Sequence, residues 1–189
     1  MKELSEILQA STAGVEEMYF HLNIDGGDPI FRERVYCYEL YHQMRKNWPV
    51  GCTFHLNGEL DKSAHPVLRE LGADHAKPDL LIHTPGAMAG NHAIIEVKHS
   101  TAAAGVRKDL QTLDLFVRKV GYQRAIYLIY GSEANAAGVK KLEAIANEFP
   151  ELVPIEVWLH SKVNQPATYN TMLQRPGKAM LGPVAELQR

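Results

Sequence analysis

Cysteine is scarce in this sequence, with only Cys37 and Cys52 among 189 residues. Two thiols cannot build a disulfide framework, and neither sits in a CxxC pair that would suggest a zinc knuckle or a redox dithiol. Both are read as core thiols. Charge of one sign is equally lacking: 20 Lys and Arg stand against 22 Asp and Glu, a formal net charge of −2. That balance argues against a strong non-specific polyanion binder but leaves room for a local basic cleft. No apolar run is long enough to cross a bilayer. The start, MKELSE, is too acidic and broken for a signal peptide, so the cytoplasm is the expected location. No Gly-rich phosphate loop or nucleophile elbow is present, which weakens the reading as an enzyme of small phosphorylated substrates.

What is present is an ordinary globular composition, 46% hydrophobic and 22% charged, in a length that suits one well-buried domain. Apolar spacing at Leu4, Ile7, Leu8, Val15 and Met18 predicts a helix broken near residues 11–14. Asp28-Pro29 is a helix-start signal, and Cys37, Leu40, Tyr41, Met44 and Trp48 then form a stripe suited to packing on a sheet. Cys52 to Leu56 alternates like a strand entering an Asn57-Gly58 turn. Two apolar strands follow, Pro78 to Ile82 and Ala93 to Lys98, and then a helix striped by Val106, Leu110, Leu113, Val117 and Val120 and closed by Gly121. A strand over 125–130, a helix over 136–149 and a strand over 152–160 complete the series. The order predicts an α/β fold with a mixed central sheet flanked by helices. Residues 1–27 are read as an N-terminal helical extension, 28–160 as the domain, and 161–189 as an arm or tail.

The stretch PDLLIHTPGAMAGNHAIIEVK, residues 78–98, reads as a hairpin, yet it carries Asp79, Glu96 and Lys98 where a buried strand favours aliphatic side chains. Period two puts Glu96 and Lys98 on one face of their strand. Burying unpaired charge costs several kcal/mol, roughly, so these groups need partners. One ion pair with Lys98 would satisfy a single acid, and two neighbouring carboxylates repel unless a cation lies between them. Hard oxygen donors, without paired histidines or thiols, favour Mg²⁺, with Mn²⁺ as its substitute, over zinc. A lysine two residues after the second acid could orient or deprotonate a water and steady phosphorane charge, an arrangement suited to phosphodiester hydrolysis.

Pro78-Asp79, a loop, then Glu96-Val97-Lys98 resembles the bipartite signature of the PD-(D/E)XK nuclease superfamily. That resemblance, over about half the chain (28–131), implies a restriction-endonuclease-like α-β-β-β-α-β core. It implies a metal-dependent nuclease acting on DNA, with Asp79 and Glu96 as metal ligands and Lys98 assisting the attacking water. Members of the family often add an acid from the preceding helix, and Glu39 resembles that position, with Glu59 as its rival and Asp61 and Lys62 behind it. Gln111 resembles a glutamine of some branches, although Leu115 stands where an aromatic should follow. The resemblance also implies pairing of two copies to reach both strands. From position alone, Arg107 and Lys108 are candidate phosphate contacts, while His42, His65 and His99 are read first as surface or core histidines. The competing expectation is a non-catalytic nucleic-acid-binding or protein-interaction module on the same fold, motivated by the modest charge and the lack of a recognition element.

Overall fold

The structure is a computed structural model that describes residues 3–58, 66–70, 72 and 76–175. Six helices and eight strands are found among them: α1 (Glu3–Ala13), α2 (Glu17–Phe20), β1 (Leu22–Ile24), β2 (Gly27–Ile30), α3 (Glu33–Lys46), β3 (His55–Gly58), α4 (Pro66–Glu70), β4 (Leu80–His83), β5 (Asn91–Lys98), α5 (Ala103–Arg118), β6 (Arg124–Tyr130), α6 (Ala136–Ala146), β7 (Leu152–His160) and β8 (Thr168–Arg175). Strands β3 to β8 form one mixed sheet in sequence order. β3, β4 and β5 pair antiparallel, β5, β6 and β7 pair parallel, and β8 returns antiparallel to β7. A parallel neighbour requires a crossover, which α5 supplies between β5 and β6 and α6 between β6 and β7. No helix among the described residues is long and apolar enough to cross a membrane.

Helices cover both faces of the sheet, which explains why β5 and β6 are buried almost throughout rather than at alternate residues. On one face, Val106, Leu110, Leu113 and Phe116 of α5 and Leu142 of α6 pack over Leu81, Ile94, Tyr127 and Val157. On the other, Leu4 and Leu8 of α1 join Tyr36, Leu40 and Met44 of α3 over Leu80, Ile95, Leu128 and Tyr130. The N-terminal helix therefore shares the main core. Gly121, at φ +83°, takes the left-handed conformation that ends α5.

Three local expectations change. Asp28-Pro29 lies in β2, within a small β1–β2 hairpin, and the helix begins at Glu33; an exposed edge strand tolerates the missing proline amide. The first strand of the main sheet runs over 55–58, so Asn57-Gly58 is paired, opposite Leu81 and Leu80, and is not a turn. Part of the expected tail is an edge strand, β8, whose approach is fixed where the buried Ala167 N–H donates to Thr12 Oγ1 at 2.8 Å. Its exposure pattern, with Leu173 buried and Tyr169 and Met172 exposed, hides the signal among polar residues.

Candidate active site

β4 and β5 pair Leu80 with Ile95 and Leu81 with Ile94. Extending that register by one residue sets Asp79 opposite Glu96, on the face that carries Leu81 and Ile94 and looks toward α5. The Val97 N–H donates to Asp79 Oδ2 at 2.8 Å, which ties the acid to the neighbouring strand. The two carboxyls are close enough for each to perturb the other's titration. Burial, reinforced by the negative charges of Asp79 and Asp109, pushes the Glu96 carboxyl well above its ordinary value. Asp79 is also raised by burial, with the Val97 N–H and Lys98 working against it.

Lys98, at the end of β5, lies between two helices. Its Nζ is 2.7 Å from Glu33 Oε1 on α3 and 3.5 Å from Asp109 Oδ2 on α5. Burial disfavours the ammonium, but the Glu33 hydrogen bond and the charges of Asp109, Glu33 and Asp79 outweigh it and hold the Lys98 pKa above the ordinary lysine value. Asp109 is only 5% exposed and also accepts from the Tyr127 hydroxyl at 3.4 Å. Burial pushes its carboxyl up to about 6 despite the pull of Lys98. Together with Arg34, Lys77, Lys108 and Thr112, these four acids and Lys98 line a cleft of about 380 Å³.

Glu33 owes its place to the aromatic packing at the start of α3. Tyr36 stacks on Tyr130 with ring centroids 3.8 Å apart, and its hydroxyl meets His160 Nδ1 at 2.6 Å. Phe31 packs edge-on to Tyr130 and Phe20. Gly131, at φ +80°, has no room for a side chain, because a Cβ there would lie 2.6 Å from the Phe31 ring.

Of the residues anticipated from sequence, Asp79, Glu96, Lys98 and Lys108 line this cleft. Glu39 does not; it is buried along α3 and accepts from Gln43 Nε2 at 2.6 Å. Arg107 faces solvent in a forked pair with Glu148, at 2.6 and 2.9 Å. Gln111 is exposed beside Leu115 and Arg118 at a separate hollow. Successive helix residues turn by about 100°, so one part of α5 cannot aim all these side chains at Lys98. Glu59, Asp61, Lys62 and His65 lie outside the described residues. His42 is exposed, and His99 stacks on Phe31 at 6.1 Å.

Glu33 and Asp109 were not anticipated. For Asp109 a signal existed: it sits within the Val106, Leu110, Leu113 stripe, where a carboxylate needs a reason to be buried. Among the described residues, no group of three or more His, Cys, Asp or Glu side chains is already arranged to hold a metal ion. The Asp79–Glu96 pair nevertheless suits Mg²⁺, which accepts one or two carboxylates and keeps several waters. A bound cation would favour the deprotonated form of both acids and so work against the upward shift that burial gives them. Compared with protein-family models, with curated proteins and with solved structures, the chain has no match.

Proposed function

We propose that the protein is a Mg²⁺-dependent nuclease with a restriction-endonuclease-like core, hydrolysing phosphodiester bonds in nucleic acid, with DNA as the expected substrate. The observation that carries this reading is the convergence of Asp79 and Glu96 from adjacent strands beside Lys98, itself held by acids from two helices. Support for that core comes from the order α3, β3, β4, β5, α5 and β6, with the short α4 between β3 and β4.

In this reading Asp79 and Glu96 hold the cation, which when bound would supply Lewis-acid polarisation of the phosphate and of an attacking water. Lys98 keeps its proton. Its role is therefore to orient the water and offset charge on the phosphorane, while a separate acceptor takes the water's proton. Glu33 and Asp109 fix the ammonium, and Arg34, Lys77 and Lys108 offer cationic contacts to flanking phosphates.

The alternative, a non-catalytic binding module on the same fold, draws support from the lack of a preformed three-donor set among the described residues. Cleavage of labelled single- and double-stranded DNA and RNA in Mg²⁺, Mn²⁺ or EDTA, run beside Lys98→Ala, separates the two. The nuclease reading expects metal-dependent cutting that falls by about 10²–10⁴-fold in the variant. Full activity in Lys98→Ala would refute it, and binding without cutting across the panel would favour the module.

A further inference from the structure

A second cavity, of about 410 Å³, adjoins the charged cleft and shares Asp79 with it. Ligand pockets span roughly 300–1,000 Å³, so this one is large enough for a small aromatic group. Its character differs from that of the first. Tyr38 and Tyr41 of α3, Asn57 and Gly58 of β3, and Leu80 of β4 line it, with the buried Cys37. Tyr38 is 60% exposed, an unusual setting for an aromatic ring on a helix whose other aromatic and aliphatic side chains are buried or half-buried. Tyr41 is fixed where its hydroxyl donates to Leu56 O at 3.4 Å. The Asn57 side chain is engaged by His83, whose Nε2 lies 2.9 Å from its Oδ1.

The two cavities meet at Asp79 and differ in chemistry. Arg34, Tyr38 and Tyr41 follow one another on α3 at i, i+4 and i+7, so a single helix face passes from the charged cleft to the aromatic cavity. Arg34, Lys77 and Lys108 of the first offer contacts to phosphates and the second suits a nucleobase, because base–aromatic stacking tolerates any base. A base in a duplex has both faces stacked already and cannot enter without being extruded.

Resting on the nucleic-acid reading of the cleft, we propose that the cavity beside Asp79 receives an unpaired base of a single-stranded polynucleotide, stacked on Tyr38, whose phosphates run along the charged cleft past Arg34 and Lys108. The preferred substrate class is single-stranded or locally unpaired nucleic acid. Binding to the full chain is measured in EDTA, where cutting is blocked, with three probes: a short labelled single strand, its duplex, and inorganic polyphosphate as a base-free competitor. The single strand is expected to bind more tightly than the duplex. Tyr38→Ala should weaken single-strand binding by about 5- to 100-fold while leaving polyphosphate binding and thermal stability unchanged, because one stack is worth about 1–3 kcal/mol. Tyr38→Trp should retain binding and add an indole emission quenched by the single strand but not by polyphosphate. Unchanged single-strand affinity in Tyr38→Ala, equal binding of duplex and single strand, or no binding to either would overturn the base pocket. The catalytic reading fails separately: Tyr38-dependent binding without metal-dependent cutting would keep the pocket and remove the nuclease.

Discussion

Lys98 Nζ lies 2.7 Å from Glu33 Oε1, a contact that joins the end of β5 to the first turn of α3 across 65 residues of sequence. The pair is partly buried, with side-chain exposures of 19% and 31%, so solvent screens it less than a surface ion pair. Because Asp109 approaches the same ammonium from α5, Lys98 has little freedom to swing away from the Asp79–Glu96 pair. The acid supplied by α3 is Glu33, where the sequence pointed to Glu39.

The two glutamates should therefore separate in a cleavage assay. Glu33→Gln removes the charge that orients Lys98 and is expected to lower metal-dependent cutting by at least about tenfold, with little change in folding. Glu39→Ala leaves the Gln43 amide without its partner, and its effect should appear as about 1 kcal/mol of lost stability with activity nearly intact. Equal activity loss in both variants at unchanged stability would contradict this assignment.

Acid titration offers a second test. Asp79, Glu96 and Asp109 all have carboxyl pKa values raised in the folded state, Asp109 to about 6, chiefly by burial. The native protein thus holds protons that an unfolded chain releases at about pH 4. Where the native state binds more protons, stability falls as pH rises, for Asp109 from about 4 through about 6. In EDTA, thermal unfolding should show this decline, and Asp109→Asn should remove the Asp109 step. Mg²⁺ competes with protons at Asp79 and Glu96, both raised by burial, so its stabilising shift in Tm should be larger at about pH 7.5 than at about pH 5. A Mg²⁺ shift of the same size at both values would argue against binding at the carboxyl pair.

Much of the fold was legible because it rests on local patterns: the apolar runs of β5 and β6 and the regular stripe of α5 report burial directly. The Asp79, Glu96, Lys98 grouping was readable because β-strand period and hairpin pairing bring them together. Glu33 was not, since its placement depends on Phe31, Tyr36, Tyr130 and Gly131 meeting from three distant parts of the chain. β8 was missed for a similar reason. An edge strand needs only one buried face, and its Leu173 is too little apolar signal to stand out beside Asn and Gln.

Asp79 has a structural role and, in the proposed reading, a metal-binding one, and its variants should divide them. Its Oδ2 accepts from the Val97 N–H, so Asp79→Ala leaves a part-buried amide without that acceptor, at a cost of about 1–3 kcal/mol. Asp79→Asn keeps a carbonyl oxygen for the same bond while removing the negative charge. In EDTA the alanine variant is therefore expected to unfold at a lower temperature than the asparagine variant, which should lie close to the unsubstituted protein. With Mg²⁺ at about pH 7.5, neither should show the metal-induced rise in Tm, because a neutral amide is a much weaker ligand for a hard divalent ion than a carboxylate. The same thermal scans thus read the structural role from the difference between the two variants and the metal role from what they share. Should Asp79→Asn gain as much from Mg²⁺ as the unsubstituted protein does, Asp79 would retain only its structural part.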